Sequence, residues 1–263
     1  MTHPLYQVDA FTKAPFGGNP AGVCLLTAPA PDDWMQALAA EMNLSETAFL
    51  LPEEEGWRLR WFTPATEIDL CGHATLASAK VLFETRPELR PGPISFWTRS
   101  GQMQARWVGG RVELDFPVFT PEPLMIELGI AGMLGFQPVE AAFSGNFFLF
   151  EAAEEETIRT AKPDFGALAA STMPEVMITA KGESSDYDFV SRFFAPQLGF
   201  DEDPVTGSAH CLLAPYWAEK LGKTTFAAYQ ASERGGWLTL RLEGDRLRIA
   251  GDSVIVFSAE LLV

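Results

Sequence analysis

Several short segments in the first half of the chain show the polar and apolar pattern of β-strands, either alternating or continuously apolar. They predict strands over residues 6–11, 21–26, 47–51 and 57–62. Between them, Trp34, Leu38 and Met42 recur at helical spacing, and Asp32 can cap the helix that they define. Residues 16–20, rich in glycine and proline, predict a tight turn.

The remainder of the chain continues this strand-rich pattern with few helices. A meander is predicted over residues 94–116, with hairpin turns at 100–101 and 109–110. Further strands are predicted over residues 147–150, 176–179 and 187–194, and a second meander over 237–257. Apolar helical stretches cover residues 76–83 and 211–221. The acidic run at 151–156 is interpreted as a solvated loop or helix face.

Four blocks of sequence occur twice in the same order. The segment Arg60-Trp61-Phe62-Thr63-Pro64 is matched by Arg192-Phe193-Phe194-Ala195-Pro196, and Cys71-Gly72-His73-Ala74-Thr75 by Thr206-Gly207-Ser208-Ala209-His210. Gly18-Asn19 is matched by Gly145-Asn146, and the hairpin turns of the first meander have counterparts in the second. A near-constant offset of about half the chain indicates two copies of one α/β unit. A cleft between two such halves is a natural ligand site.

Length and proline content indicate two domains. A chain of 263 residues exceeds the usual size of a single domain. Three prolines between residues 117 and 123 mark the best junction, which gives a first domain over 1–118 and a second over 119–263. Whether the last strand, residues 253–263, crosses back onto the first domain is left open.

Composition excludes several classes of function. A net charge of −16 and a pI near 4.6 argue against nucleic acid or an anionic membrane surface as a partner. No segment resembles a signal peptide or an apolar membrane span. Three cysteines without metal-type spacing fit reduced thiols in the cytoplasm, and three histidines are too few for a histidine-rich metal site, so no metal is expected.

Two glycine turns lead into the apolar helices and are candidate anion sites. At a helix start, free backbone N–H groups and the helix dipole favour a negative charge. Gly72 with Ala74, and Gly207 with Ala209, are therefore candidates for binding a substrate carboxylate. The alternative is that each glycine only lets a strand and a helix approach closely.

Two acidic residues are candidates for proton transfer. Glu46 is a single carboxylate in an otherwise small and apolar stretch, where burial would raise its pKa toward a useful range. The alternative is a surface glutamate at a helix end. Asp203, just before the second glycine turn, is either a second acid or the residue that organises a proline turn. Its neighbours Asp201 and Glu202 are interpreted as solvated.

Three more side chains flank the glycine turns. His73 can donate, accept or shuttle a proton near neutrality. Ser208 has no evident base beside it and is interpreted as a hydrogen-bond donor rather than a nucleophile. Cys71 precedes a helix, where its thiolate would be favoured. A racemase with two cysteines would need a partner near Pro204-Val205, where the sequence has none.

Cofactor motifs are missing from the sequence. The segment Gly17-Gly18-Asn19-Pro20-Ala21-Gly22 fits neither a dinucleotide-binding nor a P-loop pattern, and no lysine suggests a Schiff base. The chemistry is therefore expected to use side chains alone, without a cofactor.

The motifs taken together resemble the PhzF-like family of phenazine biosynthesis, which shares the diaminopimelate epimerase fold. The resemblance spans nearly the whole chain and rests on residues 8–12, 18–21, 43–47, 60–64, 67, 71–75 and 203–209. It implies an α+β fold of two pseudo-symmetric domains, each a barrel-like sheet around a central helix. It also implies a homodimer that acts on a small carboxylate without a cofactor.

In the best-understood member of this family, the residue matching Glu46 moves a proton between carbons of a hydroxylated cyclohexadiene carboxylate, and other members vary widely in substrate. The resemblance implies that His73, Asp203 and Ser208 assist and that Gly72 and Gly207 hold the carboxylate. Two alternatives stay open. One is an amino-acid racemase or epimerase that uses Cys71, and the other is a non-catalytic dimer that binds small carboxylates.

Overall fold

The structure is a computed structural model that describes residues 3–262. This part of the chain divides into two compact units. The first contains the residues up to Asp115 and those from Ile249 onward, and the second is Phe116–Arg248. The division lies close to the proline-rich segment, and the C-terminal strand belongs to the first unit.

Strands dominate both units. The strands are β1 (Pro4–Ala10), β2 (Asn19–Leu25), β3 (Glu46–Glu53), β4 (Gly56–Phe62), β5 (Glu67–Ile68), β6 (Ile94–Thr98), β7 (Gly101–Val108), β8 (Arg111–Pro117), β9 (Glu122–Pro123), β10 (Glu140–Ser144), β11 (Phe147–Glu151), β12 (Glu175–Lys181), β13 (Phe189–Ala195), β14 (Phe200–Asp203), β15 (Thr225–Gln230), β16 (Gly236–Glu243), β17 (Arg246–Gly251) and β18 (Ser253–Glu260). The predicted strands of the first half are confirmed, with ends shifted by one or two residues.

The helices are few and short. They are α1 (Asp32–Met42), α2 (Gly72–Thr85), α3 (Ile130–Leu134), α4 (Glu155–Thr160), α5 (Phe165–Ala169) and α6 (His210–Leu221), with 3-10 turns at Pro87–Leu89 and Pro196–Leu198. Within the described chain, no helix combines the length and the apolar character that crossing a membrane requires.

In the first unit, the strands form a mixed sheet in the order β18-β1-β2-β3-β4-β6-β7-β8, with β5 paired to β4. The β2–β3 and β4–β6 pairs are parallel, and the other pairs are antiparallel. Helix α2 packs against β18 at one end of this order and against β7 near the other. The sheet therefore curves around the helix.

In the second unit, the strands follow the same plan in the order β9-β10-β11-β12-β13-β15-β16, with β14 paired to β13. The β11–β12 and β13–β15 pairs are parallel, at the places equivalent to those of the first unit. Helix α6 holds the place of α2. The internal repeat seen in the sequence is therefore a repeat of strand order and direction.

The two central helices are buried almost all round, which explains their apolar composition. In α2 every residue from Gly72 to Ala79 is buried. In α6 the Trp217 ring stacks on Phe189 of β13 at 5.8 Å, and its Nε1 donates to Thr179 of β12 over 3.0 Å. Each unit thus builds its core by enclosing one helix.

Two local predictions were wrong. Asp32 is the first residue of α1 and does not cap it, because its carboxylate instead pairs with Arg60 over 2.7 Å. The acidic run is not uniformly solvated either. Glu155 is buried and accepts from Tyr187 and Arg159, so this carboxylate holds α4 against the segment that precedes β13.

Candidate active site

Glu46 and His73 form a buried carboxylate–imidazole pair in the first unit. Glu46 is the first residue of β3, and His73 is the second residue of α2. Their side-chain atoms Oε2 and Nε2 lie 3.0 Å apart. Glu46 is 8% exposed and His73 5%. The surface alternative for Glu46 is thereby excluded.

The two facing atoms are close but not aligned as a hydrogen bond. Neither Glu46 Oε2 nor His73 Nε2 has a hydrogen-bond partner within the described chain, although both are buried. A buried polar atom without a partner is costly and is typical of a functional site. The pair is therefore a candidate for contacting a ligand.

Local sequence explains how Glu46 enters the site. Asn43, the residue that follows α1, adopts the left-handed conformation (φ 49°) and turns the chain toward β3. Strand β3 then runs parallel to β2, with Glu46 opposite Ala21. Asn19, the first residue of β2, is consequently near the same end of the sheet.

Asn19 contacts the other nitrogen of His73. Its Nδ2 lies 3.1 Å from His73 Nδ1, and its Oδ1 accepts from the Ser45 hydroxyl over 3.5 Å. With the amide oxygen directed to Ser45, the amide donates to Nδ1. The neutral imidazole therefore carries its proton on Nε2, the nitrogen that faces Glu46.

Burial and a neighbouring charge shift the pKa of His73 in opposite directions. Burial alone would lower the pKa of His73, but the Glu46 carboxylate, 3.0 Å from Nε2, opposes this and raises it above its ordinary value. In the neutral form set by Asn19 and in the imidazolium form alike, Nε2 holds a proton. His73 is thus a proton donor beside a carboxylate.

Cys71 also contacts His73, with Sγ 3.6 Å from Nδ1. Burial, helped by the Glu46 charge, raises the pKa of the Cys71 thiol to about 11. The expectation of a favoured thiolate at the helix start was wrong, because desolvation outweighs the helix dipole here. At neutral pH Cys71 is a thiol and not a base.

The start of α2 offers backbone donors. The first helical hydrogen bond of this turn runs from the Thr75 amide to the Cys71 carbonyl. The N–H groups of Gly72, His73 and Ala74 come before it and have no carbonyl within the helix to donate to. These groups lie on the residues that surround the Glu46–His73 pair.

In the second unit, Asp203 is part of a buried polar cluster. Thr206 Oγ1 donates to Asp203 Oδ2 over 2.5 Å. Gln230 Nε2 donates to the Asp203 carbonyl, and the Thr206 amide donates to Gln230 Oε1, each over 2.9 Å. The cluster fixes the turn after Pro204, which agrees with the interpretation of Asp203 as the residue that organises this loop. A role of Asp203 as a second acid stays a proposal.

The second glycine turn, like the first, has backbone N–H groups that precede its first helical hydrogen bonds. His210 and Cys211 make the first backbone bonds of the turn, to Gly207 and Ser208 respectively. The N–H groups of Gly207, Ser208 and Ala209 precede these bonds. Ser208 is half-buried. Thr206 stands before Gly207 as Cys71 stands before Gly72, so the second turn has no thiol at this place.

The repeated arginines have a structural role. Arg60 donates to both oxygens of Glu67 over 2.6 and 2.7 Å, and Arg192 donates to both oxygens of Glu202 over 2.7 and 2.8 Å. The prediction that Glu202 is solvated was therefore wrong. A planar fork that holds a carboxylate by two bonds fixes the short strands β5 and β14 to their neighbours.

Sequence reasoning missed Asn19, Ser45, Thr206 and Gln230 as partners of the candidate residues. The sequence contained a signal that could have identified Asn19, since Gly18-Asn19 is one of the repeated blocks. Gln230 carried none, because it lies 27 residues after Asp203 and contacts it only through the folded sheet.

A duplicated α+β fold with a buried carboxylate–imidazole pair is suited to acid–base chemistry. The chain belongs to the family of phenazine biosynthesis-like proteins (PhzC-PhzF), whose model matches residues 8–259. It is 48% identical to a Halalkalibacterium halodurans protein named as an uncharacterized isomerase, over the full length of both chains. The family places the chain among isomerases.

Solved structures agree with the fold. A crystal structure of a PhzF-family phenazine biosynthesis protein from Enterococcus faecalis matches with a TM-score of 0.96 and 43% identity, over the whole of both chains. A hydroxyproline epimerase from Agrobacterium vitis matches with a TM-score of 0.62 and 15% identity, over 99% of this chain and 91% of that one. The predicted epimerase-like α+β fold is confirmed.

Proposed function

We propose that this isomerase moves a proton between two carbons of a small carboxylate without a cofactor, with Glu46 as the proton shuttle. The observation that carries the proposal is the buried pair of facing atoms, Glu46 Oε2 and His73 Nε2, which lack a hydrogen-bond partner within the described chain. A substrate that entered between them would find a base on one side and a donor on the other.

The proton balance needs only these side chains. The Glu46 carboxylate removes a proton from one carbon and becomes a carboxylic acid, while the electron pair left behind spreads into the conjugated system of the substrate. The same acid then returns a proton to another carbon of that system. His73 Nε2–H donates to the substrate and stabilises the charge that develops between the two transfers.

The helix starts supply the binding groups in this proposal. The N–H groups at Gly72 and Ala74 bind a substrate carboxylate, and those at Gly207 and Ala209 have the same chemistry. Asp203 and Ser208 are proposed to assist by hydrogen bonding and proton handling, as the family resemblance implies. A cyclic, unsaturated carboxylate fits the need for a delocalised charge.

The test is exchange of carbon-bound hydrogen, followed by proton NMR in deuterium oxide with a panel of small cyclic, unsaturated and amino carboxylates. Wild type is compared with Glu46→Gln, which keeps the size of the side chain but removes the base. Glu53→Gln is the matched control, because Glu53 ends the same strand and pairs with the exposed Arg58.

We expect exchange by wild type and Glu53→Gln and a loss of at least about 100-fold in Glu46→Gln, the lower end of the contribution of a general base. Full exchange in a folded Glu46→Gln protein would refute the shuttle. No exchange of any panel member by wild type, combined with thermal stabilisation by these carboxylates, would favour the non-catalytic binder.

The racemase alternative depends on Cys71 and is tested separately. It requires a thiolate, which burial and the Glu46 charge disfavour. We expect Cys71→Ala to keep Glu46-dependent exchange. Exchange that is lost in Cys71→Ala and kept in Glu46→Gln would instead assign the base to Cys71.

A further inference from the structure

We propose that Glu46, Cys71 and His73 also form a binding site for a zinc-like transition-metal ion, which would inhibit the isomerase by occupying its proton-transfer pair. The metal site itself rests on the geometry of these three residues. Only its inhibitory effect rests on the proposed function.

The three side chains are close enough to share one ion. One ligand atom from each lies within 4.8 Å of the others. Tetrahedral zinc, with metal–sulfur bonds of about 2.3 Å and bonds to nitrogen or oxygen of about 2.0 Å, needs ligand atoms about 3.3 to 3.6 Å apart. Glu46 Oε2 and His73 Nε2 are already 3.0 Å apart, and Cys71 Sγ lies 3.6 Å from His73 Nδ1, so the cysteine side chain must turn toward Nε2 to complete the set.

Two of the ligand atoms have no other hydrogen-bond partner within residues 3–262. They are Glu46 Oε2 and His73 Nε2, both buried and facing each other. An ion at Nε2 places the imidazole proton on Nδ1, and Asn19, whose amide lies 3.1 Å from Nδ1, accepts it through Oδ1 once the amide group turns over. This arrangement leaves Nε2 as the nitrogen that takes the ion.

The charges of the assembled centre cancel. On coordination the Cys71 thiol gives its proton to the buffer, and a sulfur–metal bond takes its place. The proton on His73 Nε2 is likewise released, and Nδ1 takes up a proton from solvent, so that His73 binds as a neutral imidazole. Thiolate, carboxylate and neutral imidazole then carry two negative charges, which a divalent ion neutralises. A neutral centre avoids the cost of leaving an uncompensated charge in a buried place.

The ligand types select the ion. Thiolate and imidazole favour zinc, cobalt and similar ions, whereas magnesium and calcium require oxygen ligands. Three protein ligands leave a fourth position for water. An ion held there removes the free carboxylate oxygen of Glu46 and the donor nitrogen of His73, and so blocks proton transfer.

The first test uses cobalt(II) as a spectroscopic probe of the metal-free, ligand-free protein. We expect one equivalent to produce a thiolate-to-cobalt charge-transfer band and the intense visible bands of tetrahedral cobalt. Zinc should displace the cobalt and abolish these bands, whereas magnesium should not. Cys71→Ala should lose the charge-transfer band and bind more than about 100-fold more weakly, since even an outer-shell change costs 10–100-fold.

Cys24→Ala is the matched control, because Cys24 is also a buried cysteine of the first unit but has no such neighbours among the described residues. It should behave as wild type. No charge-transfer band in wild type, or an unchanged band in Cys71→Ala, would overturn the metal site.

The second test measures inhibition. Zinc should abolish hydrogen exchange by wild type and Cys24→Ala, and Cys71→Ala should require at least tenfold more zinc relative to its own uninhibited rate. Cobalt binding without any exchange activity would reject the proposed function and keep the metal site. Glu46-dependent exchange that saturating zinc leaves intact would reject the inhibitory role.

Discussion

Asn19 shows how one residue distinguishes the two copies of a repeated block. Gly18 and its counterpart Gly145 both have positive φ, 62° and 56°, so the turn is kept in both units. At Gly18 a Cβ atom would lie 2.0 Å from the Ala10 carbonyl oxygen, which restricts this position to glycine. The asparagine that follows is fully buried against His73 in the first unit but exposed in the second.

The first prediction follows from this difference. Asn19→Ala should lower kcat for the exchange reaction by about 10- to 100-fold, because His73 loses the donor that sets its tautomer and orientation. KM should change little. The nitrogen-15 chemical shifts of His73 should report a mixture of tautomers in the variant and one tautomer in wild type.

Asn146→Ala is the control and should have wild-type kinetics, since Asn146 is exposed. Equal rates for wild type and Asn19→Ala, with an unchanged His73 spectrum, would show that the contact has no positioning role.

At the scale of elements, each unit uses the same arginine–glutamate clamp to hold a short strand. Arg60 clamps Glu67 of β5, and Arg192 clamps Glu202 of β14. Each guanidinium also lies over a phenylalanine ring of its own strand, at 5.1 Å from Phe62 or from Phe194. The repeat has preserved a structural device here, at residues that in sequence look like part of a functional motif.

The second prediction concerns these clamps. Arg60→Lys and Arg192→Lys should each lower the free energy of unfolding by about 1–3 kcal/mol, because lysine cannot make the paired bonds of the guanidinium. Urea unfolding measures the loss. The control is Arg58→Lys on the same strand β4, whose ion pair with Glu53 is exposed and whose loss should stay within about 0.5 kcal/mol. Equal effects at Arg58 and Arg60 would contradict the clamp.

For the molecule as a whole, His210 couples stability to pH. It is fully buried in α6, where Nδ1 contacts the Thr206 carbonyl at 2.9 Å and the ring stacks on Phe189. Burial lowers the pKa of His210 to about 4, and the Thr206 carbonyl opposes this only in part. The unfolded chain, with an ordinary histidine pKa, therefore binds a proton at a higher pH than the folded protein.

The third prediction follows from this difference in pKa between the folded and the unfolded chain. The free energy of unfolding should fall as pH drops below about 6.5. The part of this loss that comes from His210 should reach about 3 kcal/mol near pH 4. In His210→Asn, whose amide can still donate to Thr206, this part of the pH dependence should disappear. Denaturant titrations of both proteins from pH 7 to 4 give the difference. Parallel curves over this range would show that His210 titrates normally in the fold.

Local sequence was enough for much of the fold. Periodicity located the strands and both central helices, and the ordered repeats revealed two similar units, because these features depend on neighbouring residues and on glycine. The motifs also pointed to Glu46 and His73 as candidate site residues. Asp32 was misjudged as a cap because its actual partner, Arg60, lies 28 residues away.

The environment of the site was decided by tertiary structure. Asn19 and His73 are 54 positions apart, and only the packing of α2 beneath β2 brings them into contact. The helix start alone suggested a thiolate at Cys71, yet burial beside Glu46 keeps the thiol protonated. Sequence therefore determined which groups and which elements are present. Distance, burial and protonation depend on contacts between remote residues, so only the folded chain could determine them.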